Sequence, residues 1–413
     1  MIVPKLRFSE FKDCWKEKTI FEIAENNSLA NGVFNDKNKV GKGYKLINVL
    51  DMYLERDINE TKLTLLDLDK NEFERNKVQY GDIFFTRSSL VKEGIAHSNV
   101  YLGYSEDITY DGHLIKLSPN QNLFNSIFLN YNFKTANVRN QLIKGGKTAT
   151  MTTIGQQEVG NTKIFFPTKK EQTKIAEFLS AVDDKISQLS QQLELLNQYK
   201  KGVMQKIFSQ EIRFKNDNGE DFGGWEEVKF SDIFIEIKDK VGNKNIETYS
   251  ITAGKGFVSQ SEKFGRDISG SQNENYIVLG KNDFSYNKGN SKTYKFGCVY
   301  LNNTGQNIAV PNVFISFRAK KNNIAHNFYA KLFEHHYLDR YLRQLISSSA
   351  RMDGLLNISK EGFFEIPLPF PPIPEQEKIA DFLTAIDKRI DHTTAQLTHT
   401  KQWKKGLLQQ MFV

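Results

Sequence analysis

Apolar residues in the segment 167–209 recur at alternating steps of four and three residues. With Lys200 as the one polar interruption, the apolar positions are Ile175, Leu179, Val182, Ile186, Leu189, Leu193, Leu196, Val203 and Ile207. Steps of three and four place these side chains along one stripe of a helix, which is the pattern of a coiled-coil seam. The sequence therefore predicts a helix over 169–209, about 60 Å long at roughly 1.5 Å per residue.

The segment 371–413 repeats this pattern at an offset of 204 residues without a gap, and 19 of the 43 aligned pairs are identical. Pro167 and Pro371 fall at or just before the two helix starts, where the missing N–H of proline is harmless. A second helix is therefore predicted over about 373–413. In the alternative interpretation, each helix is amphipathic and packs only on its own domain. The apolar seam positions of the second segment are Ile379, Leu383, Ile386, Ile390, Leu397, Leu407 and Met411.

A weaker repeat opens each half of the chain. Arg7-Phe8 precedes Trp15, and Arg213-Phe214 precedes Trp225. Each half thus consists of this Arg-Phe and Trp motif, a variable body of roughly 150 residues and a long helix, in that order. The chain is interpreted as two copies of one large unit. The bodies show little sequence similarity, as expected if they do the same job on different targets.

The bodies have the pattern of a mixed α/β fold. Helices are predicted over Leu123–Gln141 and His326–Ser347. Beside the long seams, Asp183, Asp184 and Asp387 are interpreted as solvated flank positions. Short strands bounded by turn residues are predicted at Tyr44–Val49, Ile83–Thr86, His113–Lys116, Ile277–Leu279, Gly297–Leu301 and Val313–Phe317.

Composition narrows the class of protein. The 413 residues are 25% charged and 12% aromatic, which is typical of a folded chain. No apolar run approaches the roughly 20 residues of a membrane span, and the N-terminus lacks an apolar signal core. Cys14 and Cys298 are the only cysteines, which excludes a disulfide framework and a structural zinc site. A cytoplasmic location is expected.

Two long stretches contain no acidic residue. The stretch 112–157 has five basic residues, and 284–333 has seven. One such stretch in each half favours a surface that faces a polyanion such as nucleic acid, although a surface whose acids lie elsewhere is the alternative. Lys147 and Arg351, which align at the repeat offset, stand at loops of small residues where phosphate can approach the backbone. The same alignment pairs Ile154 with Ile358.

Catalytic motifs are not found. Gly146-Lys147-Thr148 resembles the end of a P-loop, but the position of its first glycine is Gln141. No Gly-x-Gly-x-x-Gly follows a strand, and no amino-methyltransferase or nuclease motif is present. His335-His336 has no nearby ligand set, so a surface or core role is favoured over a metal site.

The order of motifs resembles the specificity subunit of a type I restriction-modification system. The resemblance rests on the Arg-Phe and Trp entries, Gly81–Ser88, the helix starts at Glu171-Gln172 and Glu375-Gln376, and the later Lys-Lys-Gly. It implies target-recognition domains over 1–166 and 210–370 in a pseudo-two-fold repeat. It further implies that two antiparallel coiled-coil helices, 167–209 and 371–413, separate these domains. The seam residues expected to be buried are Leu179, Ile186, Leu193, Leu383 and Ile390.

The resemblance also implies a function. Each domain would read one half of a bipartite double-stranded DNA target and direct adenine methylation and cleavage by partner subunits. The expected partners are two modification and two restriction subunits, with no membrane. This chain would hold no cofactor or metal, because S-adenosylmethionine, ATP and Mg²⁺ would bind the partners. A coiled-coil scaffold without DNA specificity and an enzyme fused to its recognition module are the alternatives, the second disfavoured by the missing motifs.

The DNA contacts that the resemblance implies lie at two matching elements. In the first body it points to Arg87 and Ser88, and in the second to Tyr286 and Lys288. The second element lacks arginine at the matching place, which leaves open whether the bodies share one contact scheme. With their neighbours, the predicted DNA-binding residues are Arg87, Ser88, Lys92, Lys147, Thr148, Tyr286, Lys288, Lys292 and Arg351.

Overall fold

The structure is a computed structural model that describes residues 3–265, 270–289, 294–321, 323–346 and 355–413. The chain divides into two compact units, one made of 1–191 with 394–413 and the other of 192–393. Each unit therefore holds one α/β body, the beginning of one long helix and the end of the other.

The first unit is built on an antiparallel sheet of order β2-β9-β5-β7. Strand β3 lies between β4 and β8, β11 lies between β10 and β6, and β1 pairs with β12. Its strands are β1 (Lys16–Thr19), β2 (Ala30–Asn31), β3 (Val40–Ile47), β4 (Thr64–Leu66), β5 (Ile83–Thr86), β6 (Ser88–Ser89), β7 (Ser98–Val100), β8 (Ile108–Tyr110), β9 (Leu114–Leu117), β10 (Lys147–Thr148), β11 (Thr152–Thr153) and β12 (Lys163–Phe166). Its helices are α1 (Ile20–Ile23), α2 (Lys70–Arg75), α3 (Ser126–Phe133), α4 (Ala136–Gly145), α5 (Gln156–Gly160) and the long α6 (Lys169–Phe208), of which 169–191 belongs here.

The second unit repeats the four-stranded sheet and the terminal strand pair, whereas its smaller sheets differ, since β15 pairs only with β16 and β17 only with β20 in the named sheets of the described residues. Its sheet order is β14-β21-β18-β19, and β13 pairs with β22 as β1 does with β12. Its strands are β13 (Glu226–Lys229), β14 (Phe234–Glu236), β15 (Tyr249–Thr252), β16 (Gly256–Ser259), β17 (Ile277–Leu279), β18 (Phe284–Asn287), β19 (Cys298–Leu301), β20 (Ile308–Val310), β21 (Ile315–Ala319) and β22 (Pro367–Phe370). Its helices are α7 (Phe230–Ile233), α8 (Gln260–Phe264), α9 (His326–Glu334), α10 (Asp339–Leu345), α11 (Lys360–Phe364) and the long α12 (Ile373–Gln410), of which 373–393 belongs here. Bodies with little sequence similarity thus share one fold.

The predicted mixed α/β fold is confirmed, but the two body helices are each broken in two. Leu123–Gln141 was expected as one helix, whereas α3 ends before Thr135, whose hydroxyl donates to the Asn132 carbonyl at 2.7 Å. The second break, between α9 and α10, contains His336 at a φ of 61°, which a continuous helix cannot contain. Ser347, the predicted end of that helix, lies outside the described residues.

The two long helices are confirmed, and each packs both on a body and on the other helix. In the first unit Leu179 and Leu407 share one hydrophobic core with Phe128 of α3, and the second unit has the same arrangement. Since the beginning of α6 and the end of α12 lie in the same unit, the helices are antiparallel. Burial was predicted wrongly for Leu193 and Ile390, which are half-buried.

A buried glutamate explains the repeated motifs of each half. In the first unit Glu171 accepts two hydrogen bonds from the Arg7 guanidinium, both at 2.7 Å, and lies 3.4 Å from the Trp15 indole nitrogen. Glu375 binds Arg213 and Trp225 in the same way. The glutamines that follow accept the N–H at the start of α3 or α9, each at 3.0 Å. The start of each long helix is thus fastened to its own body.

Candidate nucleic-acid interface

A basic residue directly follows each of the central strands β5 and β18, at the same structural position. The carbonyl of Arg87 accepts the N–H of Ile154 at 3.0 Å, and that of Lys288 accepts the N–H of Leu356 at 3.0 Å. These matching bonds identify Lys288 as the counterpart of Arg87, so a cation occupies this place in both bodies. The predicted pairing of Ile154 with Ile358 agrees with the helices that follow, because the N-caps of α5 and α11, Gly155 and Ser359, are also 204 residues apart. The second body therefore has two more residues between this backbone bond and the helix.

A buried aspartate directly precedes each of these strands and forms an ion pair with a lysine or arginine side chain. Asp82 lies 3.7 Å from Lys116, and Asp283 accepts a hydrogen bond from Arg318 at 2.9 Å. Burial raises the pKa of both carboxyl groups, although the neighbouring cations act in the opposite direction. Gly81 precedes the first strand at a φ of 88°, in the left-handed region that favours glycine. The same ion-paired aspartate therefore fixes the start of the central strand in both bodies.

In the first unit, three of the predicted DNA-binding residues line one cleft of about 570 Å³. Arg87, Ser88 and Lys147 meet there because β6 continues from β5 and pairs with β11, the partner of β10. The Arg87 guanidinium donates to the Gly112 carbonyl at 3.0 Å, which fixes one edge of the side chain. A cleft with two cations and a hydroxyl suits a phosphate or a base edge.

The acid-free stretch is less basic at the surface than its sequence suggests. Lys116 and Arg139 are used inside the fold: Lys116 donates to the Lys77 carbonyl, and Arg139 donates to three carbonyls of the 93–96 segment. Lys147 is 82% exposed but pairs with Glu158 at 3.1 Å, and this hydrogen bond lowers the pKa of Glu158. An exposed pair of this kind is weak, so Lys147 can change partner when a polyanion is present.

The remaining predicted residues of the first body, Thr148 and Lys92, do not line this cleft. Thr148 lies on β10 with its hydroxyl 3.0 Å from that of Thr152, and Lys92 begins an exposed turn after β6. His113, which the sequence interpretation missed, also lines the cleft and lies 2.8 Å from Asp111. Its place at the start of the acid-free stretch was the signal that could have found it.

In the second unit, the predicted DNA-binding residues are less accessible for contact with DNA or lie outside the described residues. Tyr286 is fully buried, donates its hydroxyl to the Phe296 carbonyl at 2.7 Å and stacks on Phe363. Burial also raises its pKa. It is the counterpart of Phe85 in the first core, so a core role replaces the predicted DNA contact. Lys288 is half-buried at the strand end. Lys292 and Arg351 lie outside the described residues.

Two further findings concern the described part of the chain. None of its helices combines the length and apolar character of a membrane span. Its His, Cys, Asp and Glu side chains form no group of three or more arranged to bind a metal ion.

Comparisons with known proteins agree with this arrangement. A family model described as the type I restriction modification DNA specificity domain matches residues 12–198 and again residues 223–400. A chain of Methanocaldococcus jannaschii, provisionally described as the specificity subunit of the type I restriction enzyme MjaX, is 26% identical over 436 aligned positions. That alignment covers 98% of this chain and 94% of the relative.

Solved structures show the same fold. The S subunit of a type I restriction-modification system from M. genitalium superposes with a TM-score of 0.58 at 16% identity, covering 100% of this chain and 99% of that one. A second chain, from a study of complex assembly and conformational transition in the type I system, gives a TM-score of 0.50 at 13% identity. It covers 95% of this chain and 96% of its own.

Proposed function

We propose that this chain, which belongs to the type I restriction-modification DNA specificity family, reads one half of a bipartite DNA target with each of its two bodies. As a specificity subunit it recognises DNA and leaves catalysis to other subunits. Adenine methylation would be carried out by two modification subunits with S-adenosylmethionine, and cleavage by two restriction subunits with ATP and Mg²⁺.

One observation supports this proposal above the others. Two bodies with dissimilar sequences have the same four-stranded sheet, and in each a cation, Arg87 or Lys288, directly follows the same central strand. A fixed frame with differing loops is suited to reading two different half-sites in the same geometry. A scaffold that bound only proteins would have no need for this repeated basic position.

The first test is which half-site each cation serves. Arg87→Ala and Lys288→Ala should each weaken binding of the whole complex to its target duplex, measured by fluorescence anisotropy after selection from random duplexes. If the residue touches a base, discrimination at one position should relax by about 1–3 kcal/mol. If it touches phosphate, the loss should be uniform and the salt slope should fall by about one.

The two variants are controls for each other, because each alters one body and leaves the other unchanged. Circular dichroism of each variant checks the fold, which Arg87 also supports through Gly112. Altered preference in both half-sites from a single substitution would contradict the division between the bodies. Unchanged DNA binding by both variants, or its absence in the wild type, would favour the scaffold.

The second test concerns the stretch between the half-sites. We propose that the helices α6 and α12 set the length of an unread spacer. One heptad added to both helices lengthens them by about 10 Å, which corresponds to roughly three base pairs, and preserves the seam. The expected result of target selection is the same two half-sites with a longer spacer. An unchanged spacer in a folded, DNA-binding variant would contradict this role of the helices.

A further inference from the structure

A second cleft in the first unit, of about 370 Å³, lies where the loop 53–56, the end of α3 and the two long helices meet. This volume is in the range of small-ligand sites. Two acidic side chains, Glu55 and Asp183, line it, and Tyr53 stacks on His97 with ring centroids 4.9 Å apart. Its five basic lining residues are Arg56, Lys134, Lys401, Lys404 and Lys405. We refer to it as the Lys134 cleft.

At the equivalent place, the second unit has a cluster of ion pairs. Lys200 of α6 pairs with Asp387 of α12 at 2.5 Å and with Glu334 at the end of α9. Lys331 of α9 also pairs with both carboxylates, at 3.1 Å to Glu334. Two lysines and two carboxylates therefore form a cluster with balanced charge.

The first unit keeps half of this cluster. Lys404 and Asp183 stand at the repeat positions of Lys200 and Asp387, and they pair at 2.6 Å. Tyr131 takes the place of Lys331 and donates its hydroxyl to Asp183 at 2.6 Å. Lys134, at the end of α3, takes the place of Glu334. The Glu334 carboxylate of the second cluster is thus replaced by the positively charged Lys134 in the first unit.

This replacement places Lys134 close to a like charge. Burial and the charge of Lys404 lower the pKa of Lys134 to about 8, so it is still mostly protonated at neutral pH. Asp183, which partly offsets this, is already engaged by Lys404 and Tyr131. Among the other cations, Arg56 pairs with Asp184 at 2.5 Å and Lys401 with Glu55 at 3.2 Å. A partly buried cation of this kind is costly unless an anion accompanies it.

We propose that the Lys134 cleft binds a phosphate group between Lys134 and Lys404, at the place that the Glu334 carboxylate fills in the second unit. Phosphate suits the site because it carries more charge than a carboxylate and has oxygens enough for several lysines. The group can belong to a free phosphate-bearing molecule or to a DNA backbone. In the first case the proposal is independent of DNA recognition.

The test uses inorganic phosphate and the full chain. Phosphate at ten times its dissociation constant, measured by calorimetry, should raise the midpoint of thermal unfolding of the first unit by about 3–6 °C over chloride at equal ionic strength. Lys134→Glu, which copies the second unit, should remove this shift and leave the midpoint in chloride equal or higher. Lys134→Gln should remove the shift as well.

Lys185→Glu is the matched control, because it makes the same charge change at an exposed position of α6 outside the cleft and should keep the shift. The proposal fails if the wild type shows no phosphate-specific shift, or if both Lys134 variants retain it. The DNA salt slope then identifies the source. A slope lowered by about one in Lys134→Gln indicates a DNA phosphate, and an unchanged slope indicates a free ligand.

Discussion

Glu171→Ala is expected to lower the free energy of unfolding of the first unit by about 3–5 kcal/mol. The Glu171 side chain is 1% exposed and holds the Arg7 guanidinium, which is 13% exposed, through two hydrogen bonds. Removing the carboxylate leaves an arginine with little access to water and takes away the acceptor beside the Trp15 indole. The body should then loosen from the start of α6.

Urea unfolding followed by circular dichroism measures the loss, and hydrogen exchange localises it. Exchange should rise in 5–20 and 169–180 and stay unchanged in 211–230, which Glu375 fastens. Glu177→Ala, at an exposed position on the same helix, is the control and should change stability by less than about 0.5 kcal/mol. Arg7→Ala should cost little more once Glu171 is absent, and fully additive losses would refute the coupling.

Asp387→Ala should destabilise the second unit by about 2–3 kcal/mol, less than a fully buried pair because the Asp387 side chain is 23% exposed. The change leaves Lys200 and Lys331, which are 14% and 16% exposed, with Glu334 as the remaining carboxylate of the cluster. Urea unfolding checks this, with the exposed Asp391 as the control position on α12.

Removing both charges should cost less than removing one. The double variant Lys200→Met, Asp387→Leu replaces the pair with apolar residues and should recover most of the stability lost in Asp387→Ala. If the double variant is less stable than Asp387→Ala, the Lys200–Asp387 ion pair contributes net stability.

The cluster also predicts an alkaline loss of stability. Burial alone would lower the pKa of Lys200, but its hydrogen bonds to Asp387 and Glu334 raise that pKa above its ordinary value. Because the folded pKa lies above the unfolded one, the contribution is complete below about pH 10 and falls as the pH rises further. The double variant should lack this decline.

Much of the architecture could be predicted from the sequence. Steps of three and four residues give a helix without reference to the rest of the chain, so α6 and α12 begin and end within about three residues of their predicted bounds. A repeat offset is likewise a property of the chain alone, and it identified Glu171 and Glu375 before their partners were known. Strands β5 and β17 have the predicted limits because turn residues bound them.

The site depended more on tertiary structure. The sequence could not place Lys288 opposite Arg87, because the correspondence depends on matching strand registers and on the backbone bonds from Ile154 and Leu356. In the sequence, Tyr286 lies near asparagines and is therefore interpreted as a surface aromatic residue. In the structure its side chain lies on the face of the strand that packs into the core. Alternation along a strand is visible in sequence, whereas the face that meets the core is not.

The sequence by itself determined the twofold repeat, the long helices and the family, since these are carried by local periodicity and by motifs at fixed offsets. Only the tertiary structure showed that the two bodies share the same four-stranded sheet and that Asp183, expected as a solvated flank, is buried against Lys404. Charge balance in a cluster is decided by residues far apart in the chain. The substitution of Lys134 for Glu334 therefore became visible only once the helices that bring them to Lys404 and Lys200 were in place.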